Sequence, residues 1–100
     1  MSLPSCRFIL GAVADEFGVL VTDLLAHRRT RHVARPRMVA FWIAQKTTAL
    51  SYPVLGDQFD RDHTTVMHGV AKVDVELRGN PKLRGKVLRV LQRIERMQRH

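Results

Sequence analysis

The six residues Arg61-Asp62-His63-Thr64-Thr65-Val66 combine the side-chain types that can read the edges of base pairs. Readout in the major groove needs short donors and acceptors, plus methyl groups that meet thymine. Asp62 can accept from a cytosine amine, and His63 can donate to a purine N7 or O6. Thr64 and Thr65 each offer a hydroxyl and a methyl. The same residues also have a plainer use. Asp62 stands where a helix takes its N-cap, and threonines on a first turn are ordinary surface residues. One carboxylate can serve both purposes.

A second set of candidates lies upstream. Arg28, Arg29 and Arg31 fall in His27 to His32, a polar stretch without periodicity that reads as an exposed basic loop. Arg35 and Arg37 follow at the start of a helical pattern. Arginine on a loop can enter a narrow A/T minor groove, and arginine near a helix start can hold phosphate beside the free N–H groups there. No acidic residue occurs between positions 24 and 56 to neutralise them. Lys72 lies further along the helix that Asp62 opens.

These residues need elements that hold them. From Asp62 to about Arg78, Val66, Val70, Val73 and Leu77 recur on one helical face, over about 25 Å at ~1.5 Å per residue. Gly79-Asn80-Pro81 is expected to end that helix, with Gly79 as its C′ residue. Upstream, Ser51 caps a short helix with Pro53 in its first turn and Val54, Leu55 and Phe59 as apolar positions; Asp60 and Arg61 make a tight turn. A short helix, a turn and a longer helix have helix-turn-helix proportions.

The scaffold for this pair is expected in a helix from about Ala34 to Thr48, with Pro36 in its first turn. Its seven consecutive apolar residues, Met38 to Ala44, suit a helix surrounded by protein. Phe41 and Trp42 are its largest contributions, and the Trp42 indole N–H needs a partner. Ser5 caps a first helix to about Phe17, carrying Ile9, Ala12 and Val13, with Gly18 as its stop. Thr22 is expected to cap a short second helix with Leu24 and Leu25 inward. A last helix carries Leu83, Val87, Val90, Leu91, Ile94 and Met97 as its stripe and seven basic residues, Lys82 to Arg99, around it. That helix is expected to pack its stripe on the domain, with phosphates, an acidic partner or a membrane surface as alternative uses of its charge. No strand alternation occurs, so the chain reads as an all-α domain of about six helices.

Length and charge agree. One hundred residues make one domain. The formal charge is +8 and the sequence pI about 11.1, past the ~9 that signals a polyanion partner. Residues 28–48 and 81–100 carry +6 each, while 1–27 and 49–80 carry −2 each, so the charge is positioned rather than general. The lone Cys6 allows no internal disulfide, no apolar run approaches the ~20 residues of a membrane span, and no signal peptide is evident, so a cytoplasmic, nucleoid-associated protein is expected.

Other chemistry is poorly supported. His63 and His68 are five apart, on different helical faces, and His27 and His32 lack companions at ligand spacing, so no metal is expected. Gly79 to Val87 has five residues between its glycines instead of four, and Val87 in place of Ser or Thr, so it is not a phosphate loop. No nucleophile sits beside an evident base. An enzyme is not expected, and neither is a cofactor.

The stretch Arg61 to His68 resembles the signature of the C-terminal DNA-binding domain (domain IV) of the bacterial chromosomal replication initiator DnaA. Val19 with Asp23-Leu24-Leu25, Arg28-Arg29-Thr30-Arg31, Val33 to Arg37, and Ser51, Pro53, Gly56 and Phe59 fall at matching intervals. The resemblance runs from about Ile9 to Leu77. It implies a Trp-repressor-like helix-turn-helix that binds short, A/T-rich, double-stranded DnaA boxes as a monomer. It implies Arg29 in the minor groove, with Asp62, His63, Thr64 and Thr65 on bases, Arg37 on phosphate and Lys72 near the backbone. Arg28, Arg31 and Arg61 complete the expected DNA-binding set. Met38 departs from a phosphate-contacting Gln of the family, Gln45 from a frequent Lys, and Phe59-Asp60-Arg61 from a glycine-containing turn. No nucleotide-binding module occurs in these 100 residues. The expected role is therefore regulation of replication or transcription by site occupancy, the alternatives being an excised domain of a full initiator or a protein-interaction module.

Overall fold

In the computed structural model, which describes residues 3–28 and 31–98, the chain forms six helices and, among the described residues, no strand. They are α1 (Cys6–Phe17), α2 (Val21–Leu25), α3 (Arg31–Thr47), α4 (Tyr52–Phe59), α5 (His63–Gly79) and α6 (Pro81–Gln98). Local chemistry accounts for most of their ends. The Ser5 hydroxyl accepts from the Phe8 N–H at 3.1 Å, and Gly18 closes α1 in the left-handed region at φ 68°. Ser51 accepts from the Val54 N–H, and Pro53 occupies the first turn of α4, where a missing N–H costs nothing.

Three helix ends and one stripe position differ from expectation. α2 begins at Val21, with Leu20 as an N-cap that makes no side-chain hydrogen bond, so Thr22 is inside the helix. α3 begins at Arg31, so the basic loop is shorter and Pro36 lies in the second turn rather than the first. The added turn is held by Val33, which is 2% exposed; the bond Pro36 cannot make leaves only the carbonyl of His32, an exposed residue. Gly79 stays helical and is not left-handed. Asn80 instead separates two helices, its Oδ1 accepting from Leu83 N–H at 3.0 Å as Pro81 opens α6. Met97 is 56% exposed and is not buried with the rest of the α6 stripe; it edges an open cavity beside Phe8 of α1 and Val19.

α3 is the central element. It packs against α5, α1, α2 and α4, and Val39, Ala40, Phe41, Ile43 and Ala44 are all buried. Phe41 meets Phe59 of α4, ring centroids 5.1 Å apart and tilted by 60°, an arrangement aromatic rings favour. Trp42 is half-buried at the margin, and its indole donates to Asp74 Oδ1 at 2.7 Å, tying α3 to α5. The α6 residues Leu83, Val87, Val90 and Ile94 enter the same core. Arg89–Glu16 at 3.0 Å and Arg93–Asp15 at 3.1 Å orient α6 on α1; such exposed pairs add little energy, so the apolar stripe supplies the stability.

Candidate nucleic-acid interface

α5 starts where α4 ends, and two details make that junction tight. A Cβ on Gly56 would lie 2.6 Å from the Arg61 carbonyl oxygen and 3.2 Å from the His63 nitrogen, so only glycine lets the turn close on α4. Asp60 takes the left-handed conformation at φ 54°, a region Asp tolerates better than most residues. Its carboxylate meets His27 Nε2 at 2.9 Å, which joins the turn to the segment after α2.

Asp62 is the N-cap of α5. Its Oδ1 accepts from the Thr64 N–H at 2.9 Å and from the Thr64 hydroxyl at 2.7 Å. These two bonds hold the Asp62 carboxyl below the usual carboxylate range, the side-chain bond first. Oδ2 has no partner among the described residues and remains an acceptor. The Thr64 hydroxyl proton is committed to the cap, so Thr64 keeps its lone pairs and its methyl. Asp62, His63, Thr64 and Thr65 are all exposed, while Val66, Gly69, Val70 and Val73 behind them are buried. The first turn of α5 is thus a polar tip on an anchored helix.

Arg37 and Arg61, both expected on DNA, are occupied within the protein. Arg37 Nε donates to the Leu24 carbonyl at 2.7 Å, and its Nη2 donates to the carbonyls of Asp23 and Ala26, each at 2.9 Å. Arg61 Nη1 donates to the carbonyls of Leu25, Phe59 and Asp60, and its Nη2 to that of Ala26. Two guanidiniums therefore satisfy the free carbonyls at the C-terminus of α2, where the helix dipole also favours cations. Burial, and then the charge of Arg61, lower the Arg37 pKa from its ordinary value; an arginine stays charged nonetheless. Only Nη1 of Arg37 lacks an acceptor among the described residues, so the expected phosphate clasp is reduced to that one nitrogen.

The remaining candidates are exposed. Arg28 precedes the undescribed positions, Arg31 opens α3, and Lys72 projects from the middle of α5. Arg29, expected in the minor groove, and Arg99 of the basic tail lie outside the described residues. Thr65 and Lys72 line one shallow cavity of about 310 Å³ between α3 and α5, and His68 lies between them on the same helical face. His68 is not among the expected DNA-binding residues, although its spacing, three residues after Thr65 and four before Lys72, puts it in that column. Met38 also lines this cavity, packed at the α3–α5 crossing, where a Cβ on Gly69 would approach its Cγ to 3.2 Å.

With this geometry established, comparison with known proteins gives a consistent result. The bacterial DnaA protein helix-turn-helix family matches residues 6–73. The chromosomal replication initiator protein DnaA of Neisseria meningitidis serogroup C is 45% identical over 76 residues, covering 75% of this chain and 15% of that protein. The DnaA protein of Dechloromonas aromatica is 48% identical over 63 residues, covering 62% of this chain and 14% of that protein. The chain thus spans about one-seventh of the length of these relatives. From the match over residues 6–73, which takes in α4 and the start of α5, and from identities of 45–48%, the chain belongs to the bacterial DnaA helix-turn-helix family.

Proposed function

We propose that this protein binds double-stranded DNA at DnaA-box-like sites, with the first turn of α5 in the major groove and the segment from Arg28 to Arg31 in the minor groove. The observation that supports this most is the tip of α5. Asp62, His63, Thr64 and Thr65 are solvent-facing at the start of a helix whose opposite face is fixed in the core. Arg28 and Arg31 flank the minor-groove position assigned to Arg29, and Lys72 and His68 extend the footprint along α5. Arg37 and Arg61 act as positioning residues that hold the end of α2, and with it the start of the basic segment, against the turn. Binding proceeds as a monomer, and site occupancy regulates replication initiation or transcription without an ATPase in these residues, whether the chain acts alone or as the DNA-reading part of a longer initiator.

The alternative of a partner-binding module through α6 has less to stand on. Its apolar stripe is buried in the domain, and Arg89 and Arg93 are paired with α1. Fluorescence anisotropy with a labelled DnaA-box duplex and a scrambled duplex of equal length tests the proposal. Tighter binding to the box is expected; equal affinity for the two duplexes sinks the site-specific reading.

A further inference from the structure

Beyond the recognition tip, a second concentration of positive charge has its own geometry. A cleft of about 470 Å³ opens between the first turns of α3, the second half of α5 and the start of α6. Arg31, Arg35, Lys72, Lys82 and Lys86 line it, with Glu76 the one acidic residue. Glu76 is already engaged, its Oε2 accepting from Arg35 Nε at 3.1 Å. Lys86 places its ammonium 5.0 Å from the centre of the Phe17 ring, a cation–π contact that positions the charge without neutralising it. Arg31, Lys72 and Lys82 are exposed and meet no acidic side chain among the described residues. The cleft therefore presents an excess of fixed cations, which favours an anion.

Its position specifies which anion. Ala34, Met38 and Lys72 line both this cleft and the cavity beside Thr65 and His68, so the two adjoin and form a groove along the α3–α5 seam with those three residues at its middle. From Thr65 to Glu76 the groove runs about 16 Å along α5, at ~1.5 Å per residue. α6 is held rigidly at its far end, by the Asn80 cap, by buried Leu83 and by Arg84, which donates to the carbonyls of Leu77 and Arg78. The lysines thus arrive on a fixed element rather than a loose tail.

We propose that this cleft is a phosphate-anchoring site, in which Lys82 and Lys86, with Arg31 and Lys72, hold backbone phosphates of the duplex flanking the recognised bases. This rests on the duplex-binding reading above and extends its footprint onto α6. It divides the basic residues of α6 by role: Arg84, Arg89 and Arg93 bind the protein to itself, and Lys82 and Lys86 face the polyanion.

The test uses the full chain and duplexes of two lengths, one trimmed to the box and one extended by about one helical turn on each side. For the unmodified protein, the longer duplex is expected to bind more tightly and with a steeper dependence of log Kd on log salt. Lys82→Gln should reduce that advantage, and the double variant Lys82→Gln/Lys86→Gln should remove most of it. Each phosphate deprived of its lysine lowers the slope by about 0.9, corresponding to roughly 5-fold in affinity for one phosphate and 30-fold for two near 0.15 M salt. Binding to the trimmed duplex should be unchanged. Lys82 is exposed, so its single variant keeps the comparison valid if Lys86→Gln disturbs the packing on Phe17. Equal slopes for variant and unmodified protein on the long duplex overturn the proposal. So does Lys82-dependent binding of inorganic pyrophosphate without any effect of duplex length, which would make the cleft a site for a free anion. Failure of the recognition reading is separate: it shows as no preference for the box over a scrambled sequence, whatever the flanks do.

Discussion

Thr65 and Arg37 are separated by one groove and do different work, and substitution should distinguish them. Thr65 is exposed, its side chain lines the groove, and no protein group depends on it. Thr65→Ala is therefore expected to leave the melting temperature unchanged, cost ~1–3 kcal/mol on the cognate duplex and cost little on random DNA. Equal weakening on both duplexes in an anisotropy titration would remove it from base readout. Arg37 is half-buried and holds three carbonyls. Arg37→Ala leaves those acceptors without their donor at a cost of about 1–3 kcal/mol, read as a lower urea midpoint. If Arg37 acts only as a positioning residue, the salt slope of binding stays as it was. A slope lower by about 0.9 would instead give its free Nη1 a phosphate.

At the scale of elements, the close approach of α4 and α5 hangs on Gly56. A methyl there meets backbone atoms, which cannot swing aside as a side chain can. Gly56→Ala is expected to destabilise by about 1–3 kcal/mol and to weaken box binding by displacing the tip of α5; an unchanged urea midpoint would show that the junction has slack. The periodic apolar faces, the serine and aspartate caps and the helix-turn-helix pair were legible in the sequence, because burial and capping are local patterns with strong residue preferences. The early start of α3 was not, because its extra turn depends on Val33 meeting the rest of the fold. Gly79 misled for a related reason: Asn80 and Pro81 launch the next helix at once, so no left-handed glycine was needed. At the site, the exposed tip of α5 was readable from residue types. The occupation of Arg37 and Arg61 was not, since the α2-end carbonyls they hold lie 11 to 14 and 35 to 36 residues away. Arginine looks the same in sequence whether it binds phosphate or a helix end.

For the molecule as a whole, α6 is part of the core and not an appendage. Removing residues 81–98 takes out Leu83, Val87, Val90 and Ile94, each worth ~1.5–3 kcal/mol of burial. That total rivals the ~5–15 kcal/mol that holds a typical domain together, so loss of the cooperative unfolding transition in circular dichroism is expected; a truncated chain that still melts sharply would separate α6 from the core. The two arginines on the last carbonyls of α2 fix a further property of the whole. Arg37 comes from the scaffold helix and Arg61 from the turn, so the segment leaving α2 and the helix after Arg61 cannot slide past one another. On the proposed reading, the protein is a gauge of set span, with one jaw in each groove. Inserting a single base pair between the A/T tract and the major-groove bases moves the two marks apart by about 3.4 Å. Both jaws can then no longer close together, and gel-shift affinity should fall by roughly 100-fold or more even though every recognised base is still present. Such a protein reads the distance between two half-messages as strictly as it reads the messages themselves.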